Sequence, residues 1–190
     1  MRGIELLIEV RWHGRGGQGI VTVSRLLAEA ALLDGKHVQA FPEFGPERRG
    51  APVTGYTRIS DEPIIIHSNI YEPNIVVIVD PTLLGKIDVT RGLVENGTIV
   101  AHTEKKPEEL NEELEVKKTR TYTVNAARIA LDILGRPIYN TAMLGALIRA
   151  VPLTSMESLA KVIKERFPGS VGEKNVAVIE RAYEEVSGIE

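Results

Sequence analysis

The stretch His13-Gly14-Arg15-Gly16-Gly17-Gln18-Gly19 holds the residue types and spacing best suited to chemistry in this chain. It lies between an apolar β-forming run, Ile4 to Val10, and a run with helical spacing, Ile20, Val23, Leu26, Leu27, Ala30 and Ala31. A strand, a glycine-rich turn and a helix start together make an anion site. The first backbone N–H groups of a helix have no internal partner, and the helix dipole adds partial positive charge there. Glycine lets the backbone turn sharply and approach a ligand closely, and Arg15 brings a fixed cation to the same place. Gly14, Gly16 and Gly19 also satisfy the dinucleotide pattern G-x-G-x-x-G. That pattern asks for a carboxylate at the end of the second strand, about 20 residues on. Here Glu43 comes late, after Pro42. NAD(H) is therefore a weaker reading than phosphate, and a tight turn that only packs helix against strand is the alternative to both.

A second stretch of similar promise is Phe44-Gly45-Pro46-Glu47-Arg48-Arg49-Gly50. It lies in an eleven-residue segment, Pro42 to Pro52, whose three prolines and two glycines exclude regular structure. Adjacent arginines clamp phosphate or carboxylate through paired N–H donors. Phe44 beside them is suited to touch a partner, so the loop reads as functional rather than as a solvated turn.

Elsewhere the signals are thinner. His13, His37, His67 and His102 are scattered without i, i+4 spacing, so a histidine metal site is not expected. His13 reads as a hydrogen-bonded structural histidine. Asp80, before Pro81, can bind a ribose or a metal, or hold its own turn through an Asx interaction. Neither a Gly-x-Ser-x-Gly elbow nor a Walker Gly-Lys-Ser/Thr is present. No nucleophile–base set emerges, so no residue is assigned a catalytic role.

The elements that must position these residues alternate between strand and helix. The pattern predicts a strand over Ile4 to Val10, a helix over Gly19 to Leu33 with a stop at Asp34-Gly35, and a strand over Lys36 to Phe41. Next come an antiparallel hairpin of Val53 to Ser60 with Ile64 to Ile66, a central strand Ile75 to Val79, and a buried strand Thr98 to Ala101. Glu104 to Glu115 reads as a charged, solvated link. Thr119 to Val124 reads as a strand, and Asn125 caps a helix that stops at Gly135. Three helices follow, over Thr141 to Ala150, Ser155 to Phe167 and Gly172 to Val186. Ser155 has Ser158, not Glu, in the fourth place, so no capping box is expected.

The fold class is a three-layer α/β/α Rossmann-like domain with a mostly parallel sheet, one antiparallel hairpin and C-terminal helices. The 190 residues suit a single domain, with a sheet core over about 4–135 and a helical part over about 138–190. In such sheets ligands bind beyond the carboxyl ends of the strands. That edge would gather the glycine loop, the 43–49 loop, Asp80-Pro81 and His102-Thr103.

Composition narrows the function classes. A net charge of −3 and the absence of a basic stripe argue against nucleic acid. With no cysteine, the chain offers no disulfide, no thiolate nucleophile and no cysteine ligand for zinc or an iron–sulfur cluster. No apolar run reaches the roughly 20 residues that span a bilayer, and no signal peptide opens the sequence. The expected location is the cytoplasm.

Taken together, Gly14 to Gly19, the helix after it, and Phe44 to Gly50 followed by Ala51-Pro52-Val53 resemble the gamma subunit of 2-oxoacid:ferredoxin oxidoreductases. The likeness is strongest over residues 5 to 80, and Arg48-Arg49-Gly50-Ala51-Pro52 is similar to the pyruvate (pyruvate synthase) branch. The resemblance implies an α/β/α subunit of a hetero-oligomeric enzyme. That enzyme oxidatively decarboxylates a 2-oxoacid with coenzyme A to acyl-CoA and CO2 and reduces ferredoxin. Alpha-, beta- and delta-type chains would be the partners and would hold the thiamine diphosphate and iron–sulfur clusters. The isolated gamma chain would bind none of these and be inactive. On this resemblance Gly14, Arg15, Gly16, Gly17, Gln18 and Gly19, with Glu47, Arg48 and Arg49, are expected to face coenzyme A. A stand-alone NAD(H)-binding oxidoreductase and a non-catalytic assembly subunit are the alternatives.

Overall fold

The computed structural model describes residues 7–43 and 49–189. Phe44, Glu47 and Arg48 lie outside the described residues. Among the described residues seven strands form one sheet, in the order β2-β3-β1-β4-β5-β6-β7. The strands are β1 (Leu7–Arg15), β2 (His37–Pro42), β3 (Pro52–Ser60), β4 (Ile75–Ile78), β5 (Thr98–His102), β6 (Arg120–Val124) and β7 (Ser187–Ile189). β1, β2, β4, β5 and β6 run in one direction, while β3 and β7 run against it. The sheet is thus mostly parallel, and the carboxyl ends of five strands share one edge.

The helices are α1 (Ile20–Leu33), α2 (Pro107–Leu114), α3 (Ala126–Leu134), α4 (Asn140–Ala150), α5 (Met156–Arg166) and α6 (Ser170–Glu185). α1 and α3 to α6 cover one face of the sheet. There Val10, Trp12, Ile59, Val77 and Val100 meet the apolar sides of these helices in the larger core. Trp12 is anchored as well as buried: its Nε1–H donates to Thr57 Oγ1 at 3.0 Å, and that hydroxyl donates to the Ser24 carbonyl of α1 at 3.0 Å. The other face is thinner. Val76, Ile78, Ile99 and Ala101 pack there against Leu83, Val89 and Leu110 of α2. Along β1 the same face is polar, because alternation that sends Val10 and Trp12 to the helices sends Arg11 and His13 the other way.

Four sequence expectations are corrected. β1 does not end at Val10 but runs through Gly14 and Arg15, which pair with Val53 and Pro52 of β3. The neighbouring strand holds this glycine extended. Ile64 to Ile66 does not form a strand. A strand has only two edges, and β3 uses them for β1 and β2, so the antiparallel pair is β2 with β3. The supposed solvated link contains α2. Pro107 opens it, Glu108 and Glu109 favour its positive end, and Leu110 is fully buried. Finally, the residues after α6 form β7, which pairs antiparallel with β6.

The C-terminal helices are clamped to α1 by one side chain. Asp34, at the end of α1, accepts from Thr154 Oγ1 and the Ser155 N–H at 2.6 Å each, and from the hydroxyls of Ser155 and Ser158 at 3.0 and 2.5 Å. Ser155 Oγ accepts from the Ser158 N–H at 3.1 Å and caps α5 without a capping box.

Candidate functional site at the carboxyl edge of the sheet

Three of the four segments expected at the carboxyl edge, the glycine loop, Asp80-Pro81 and His102-Thr103, meet there, and of the fourth, 43–49, Glu43 and Arg49 are described. The glycine loop is zipped to the chain that follows residue 48: the Gly16 N–H donates to the Ala51 carbonyl at 2.9 Å, and the Gly50 N–H to the Gly16 carbonyl at 3.1 Å. Gly17 and Gly19 adopt the left-handed region at φ 93° and 75°, which glycine reaches without steric cost. Gly14 serves differently. A Cβ there would lie 2.3 Å from Ile20 Cδ1, so its bare backbone allows α1 to start close against β1.

Gln18 organises the loop. Its Oε1 accepts from the Arg15 N–H at 2.7 Å, and its Nε2 donates to Asp80 Oδ2 at 2.6 Å and to Tyr139 Oη at 3.4 Å. Asp80 Oδ1 accepts from the Thr82 N–H at 2.8 Å, which is the Asx turn the sequence left as one option. Arg15 Nε lies 3.2 Å from Asp80 Oδ2, and the guanidinium also donates to Thr82 Oγ1 and, at 2.9 Å, to the Gly50 carbonyl. Burial pushes the Asp80 carboxyl upward. Hydrogen bonds from Thr82 and Gln18 and the Arg15 charge outweigh it and hold the group below its ordinary range. Asp80 is therefore an ionised brace, and Arg15 is its counter-ion rather than a free ligand-binding cation.

What faces outward is Gly17, Arg49 and the start of α1. Gly17 and Arg49 are exposed. A Cβ on Gly17 would lie 3.8 Å from Arg49 Cγ, so the arginine stem passes over the bare glycine. α1 has Gly19 as its N-cap and no side-chain hydrogen bond capping it. An exposed cation, an exposed left-handed glycine and an uncapped helix start suit a phosphate or sulfonate group.

His102 and Tyr139 line the same edge, with ring centroids 4.5 Å apart. His102 Nδ1 lies 3.3 Å from the Val124 carbonyl. Burial lowers its pKa against the pull of that carbonyl, Asp80 and Glu104, so the ring is neutral. Tyr139 carried no signal in the sequence, because only the return of the chain after α3 brings it to Gln18. His13 points to the opposite, polar face. Its Nε2 accepts from Arg11 Nε at 3.0 Å, and burial with the Arg11 charge lowers its pKa to about 4, so it is structural. Arg11 in turn donates to the carbonyls of Val89 and Arg91. No group of three or more His, Asp or Glu among the described residues can hold a metal. No described helix is long and apolar enough to cross a membrane.

An α/β/α sheet with a braced glycine loop at its carboxyl edge defines a Rossmann-like α/β protein. A family model for pyruvate ferredoxin/flavodoxin oxidoreductase matches residues 9–185. The Pyruvate/ketoisovalerate oxidoreductases common subunit gamma of Pyrococcus furiosus is 53% identical over 184 residues, 97% of this chain and 100% of that one. Pyruvate synthase subunit PorC of Methanocaldococcus jannaschii is 48% identical over 180 residues, 95% of this chain and 97% of that one. Among solved structures, pyruvate oxidoreductase subunit PorC of Thermotoga maritima superposes with a TM-score of 0.87 at 40% identity, covering 97% of this chain and 99% of that one. The chain belongs to the pyruvate ferredoxin/flavodoxin oxidoreductase family and, within it, to the gamma-subunit type. It is accordingly one subunit of a multi-subunit oxidoreductase.

Proposed function

We propose that this subunit serves a pyruvate:ferredoxin oxidoreductase and supplies part of its coenzyme A site. In that reaction the 2-oxoacid loses CO2, its acyl group passes to the coenzyme A thiol, and two electrons reach ferredoxin. Alpha-, beta- and delta-type chains are the proposed partners, ferredoxin the acceptor and the cytoplasm the location. The iron–sulfur clusters are proposed to lie on those partners, since this chain has no cysteine to ligate one, and thiamine diphosphate is proposed to lie there as well. Its own residues bind and orient.

The observation that carries the coenzyme A reading is Arg49 lying over exposed Gly17 at the uncapped start of α1. Gly17 gives a phosphate close access to backbone N–H groups, Arg49 neutralises it, and the Asp80–Gln18–Arg15 brace fixes the loop without using the outward donors. Glu47 and Arg48 are proposed to complete the clamp.

The test is reconstitution. The chain alone gives no pyruvate-dependent reduction of a viologen dye, whereas the assembled complex does. In the complex, Arg49→Ala raises the KM for coenzyme A about tenfold, the value of one charge-assisted hydrogen bond, and leaves the KM for pyruvate within about twofold. Turnover by the chain alone overturns the subunit reading. Equal effects on both substrates overturn the coenzyme A assignment.

A further inference from the structure

A cavity of about 500 Å³ opens between the first turn of α1, the end of α3 and the starts of α4 and α6. Its volume is that of a small-molecule site. Three cations line it, Arg136, Arg166 and Lys174, and no Asp or Glu does. None of the three forms an ion pair with a described residue. Three like charges around one hollow repel each other, and an anion in the hollow removes that cost. The polar donors agree in sign. Ser170 lines the cavity in the first turn of α6, whose N-cap Gly169 makes no side-chain hydrogen bond. Thr141 Oγ1 donates to buried Asn175 Oδ1 at 2.9 Å, and Asn175 Nδ2 donates to the Val171 carbonyl at 2.8 Å, which fixes the cavity floor.

The remaining wall is apolar: Leu134, Ile138, Phe167 and Val171. Ile138 and Val171 are 51% and 53% exposed, leaving apolar surface open beside concentrated positive charge. The Arg166 guanidinium lies 5.3 Å from the centre of the Phe167 ring. A molecule that satisfies both walls has a phosphate at one end and a flat apolar body at the other.

We propose that this cavity is a binding site for a small organic phosphate of the nucleotide type, separate from the glycine loop. The site does not depend on coenzyme A at Gly17. The nearest link is Asn140, which lines the cavity and whose Nδ2 sits where a Cβ on Gly19 would be.

The test is calorimetric titration of the full chain with ADP and with inorganic pyrophosphate. Saturable binding of both is expected, with ADP tighter because its base adds apolar contact. The double variant Arg136→Ala/Lys174→Ala weakens both by about tenfold or more with an unchanged circular dichroism spectrum. Val171→Trp weakens ADP more than pyrophosphate, and the loss caused by the double variant persists in a Gly17→Val background, where phosphate binding at the glycine loop is removed. Displacement of ADP by coenzyme A identifies the nucleotide end of that molecule as the occupant, and failure to displace it identifies a separate nucleotide. Both results keep the proposal. It is overturned by no binding of either probe at millimolar concentration, or by binding that Gly17→Val abolishes and the double variant spares. It is also overturned if the double variant lowers co-purification of partner subunits while wild-type chain binds neither probe, because the cations then dock an acidic protein surface.

Discussion

Gln18 Nε2 donates to Asp80 Oδ2 at 2.6 Å, joining the glycine loop after β1 to the turn after β4. β1 and β4 are parallel neighbours, and the chain leaves β1 toward β2 but leaves β4 toward β5. A crevice opens at such a reversal in strand order. The Gln18–Asp80 bond spans that crevice and sets the position of the backbone that flanks it.

The brace is expected to act through stability and loop order together. Asp80→Ala leaves the Arg15 guanidinium, the Gln18 amide and the Thr82 N–H without their shared acceptor. A loss of about 2–3 kcal/mol is expected, with a smaller loss for Asp80→Asn, which keeps an acceptor oxygen for Thr82. Urea denaturation of the three chains measures it. Equal stability of Asp80→Ala and wild type would show that the carboxylate does not brace the loop.

Two glycines in one loop are expected to fail in different ways. Gly14→Ala puts a methyl group against the buried Ile20 side chain and should lower the melting temperature, because that side chain must shift within the packed core. Gly17→Ala meets only the Arg49 side chain at 3.8 Å and costs the left-handed strain of roughly 1–2 kcal/mol. Its main effect should be a raised KM for coenzyme A in the assembled enzyme. Thermal melts and steady-state kinetics on both variants separate packing from binding, and the opposite pattern would exchange the two roles.

The polar face predicts an acid sensitivity. His13 has a pKa lowered from 6.5 to about 4 by burial and by Arg11, so the unfolded chain binds its proton more readily than the folded one. The stability it contributes is complete above pH 6.5 and is lost as pH falls through the window down to about 4. The full loss is on the order of 3 kcal/mol. His13→Gln, which keeps an acceptor for Arg11 without a titrating proton, should flatten the pH dependence of urea midpoints across that window. An identical slope in wild type and variant would assign the sensitivity to other groups.

Much of the architecture was legible in the sequence because its signals are local. The 3.6-residue spacing of Ile20, Val23, Leu27 and Ala31, and the unbroken β-branched run Ile75 to Val79, each fix an element without reference to the rest of the chain. The same locality exposed Gly17, Gly19 and Arg49 as candidates, since glycine pairs and adjacent arginines are short-range patterns. Where the reading failed, the deciding partner was distant. Ile64 to Ile66 has strand composition but no free edge of β3 to pair with. α2 looked like a solvated link because its four glutamates outnumber its two leucines, of which Leu110 is fully buried and Leu114 packs beside it.

The sequence by itself determined the fold class and the place of the glycine loop between strand and helix, because hydrophobic periodicity and backbone permissiveness are properties of consecutive residues. Only the tertiary structure decided which loop groups are already paired with other described residues. Arg15 and Gly16 are consumed by Asp80, Thr82, Gly50 and Ala51, while Arg49 remains outward over Gly17. It also built the basic hollow, where Arg136, after α3, meets Arg166 and Lys174 from the α5–α6 corner far along the chain. The physical reason is the same for both: a hydrogen bond or an ion pair depends on distance in space, and the packing of remote segments sets that distance.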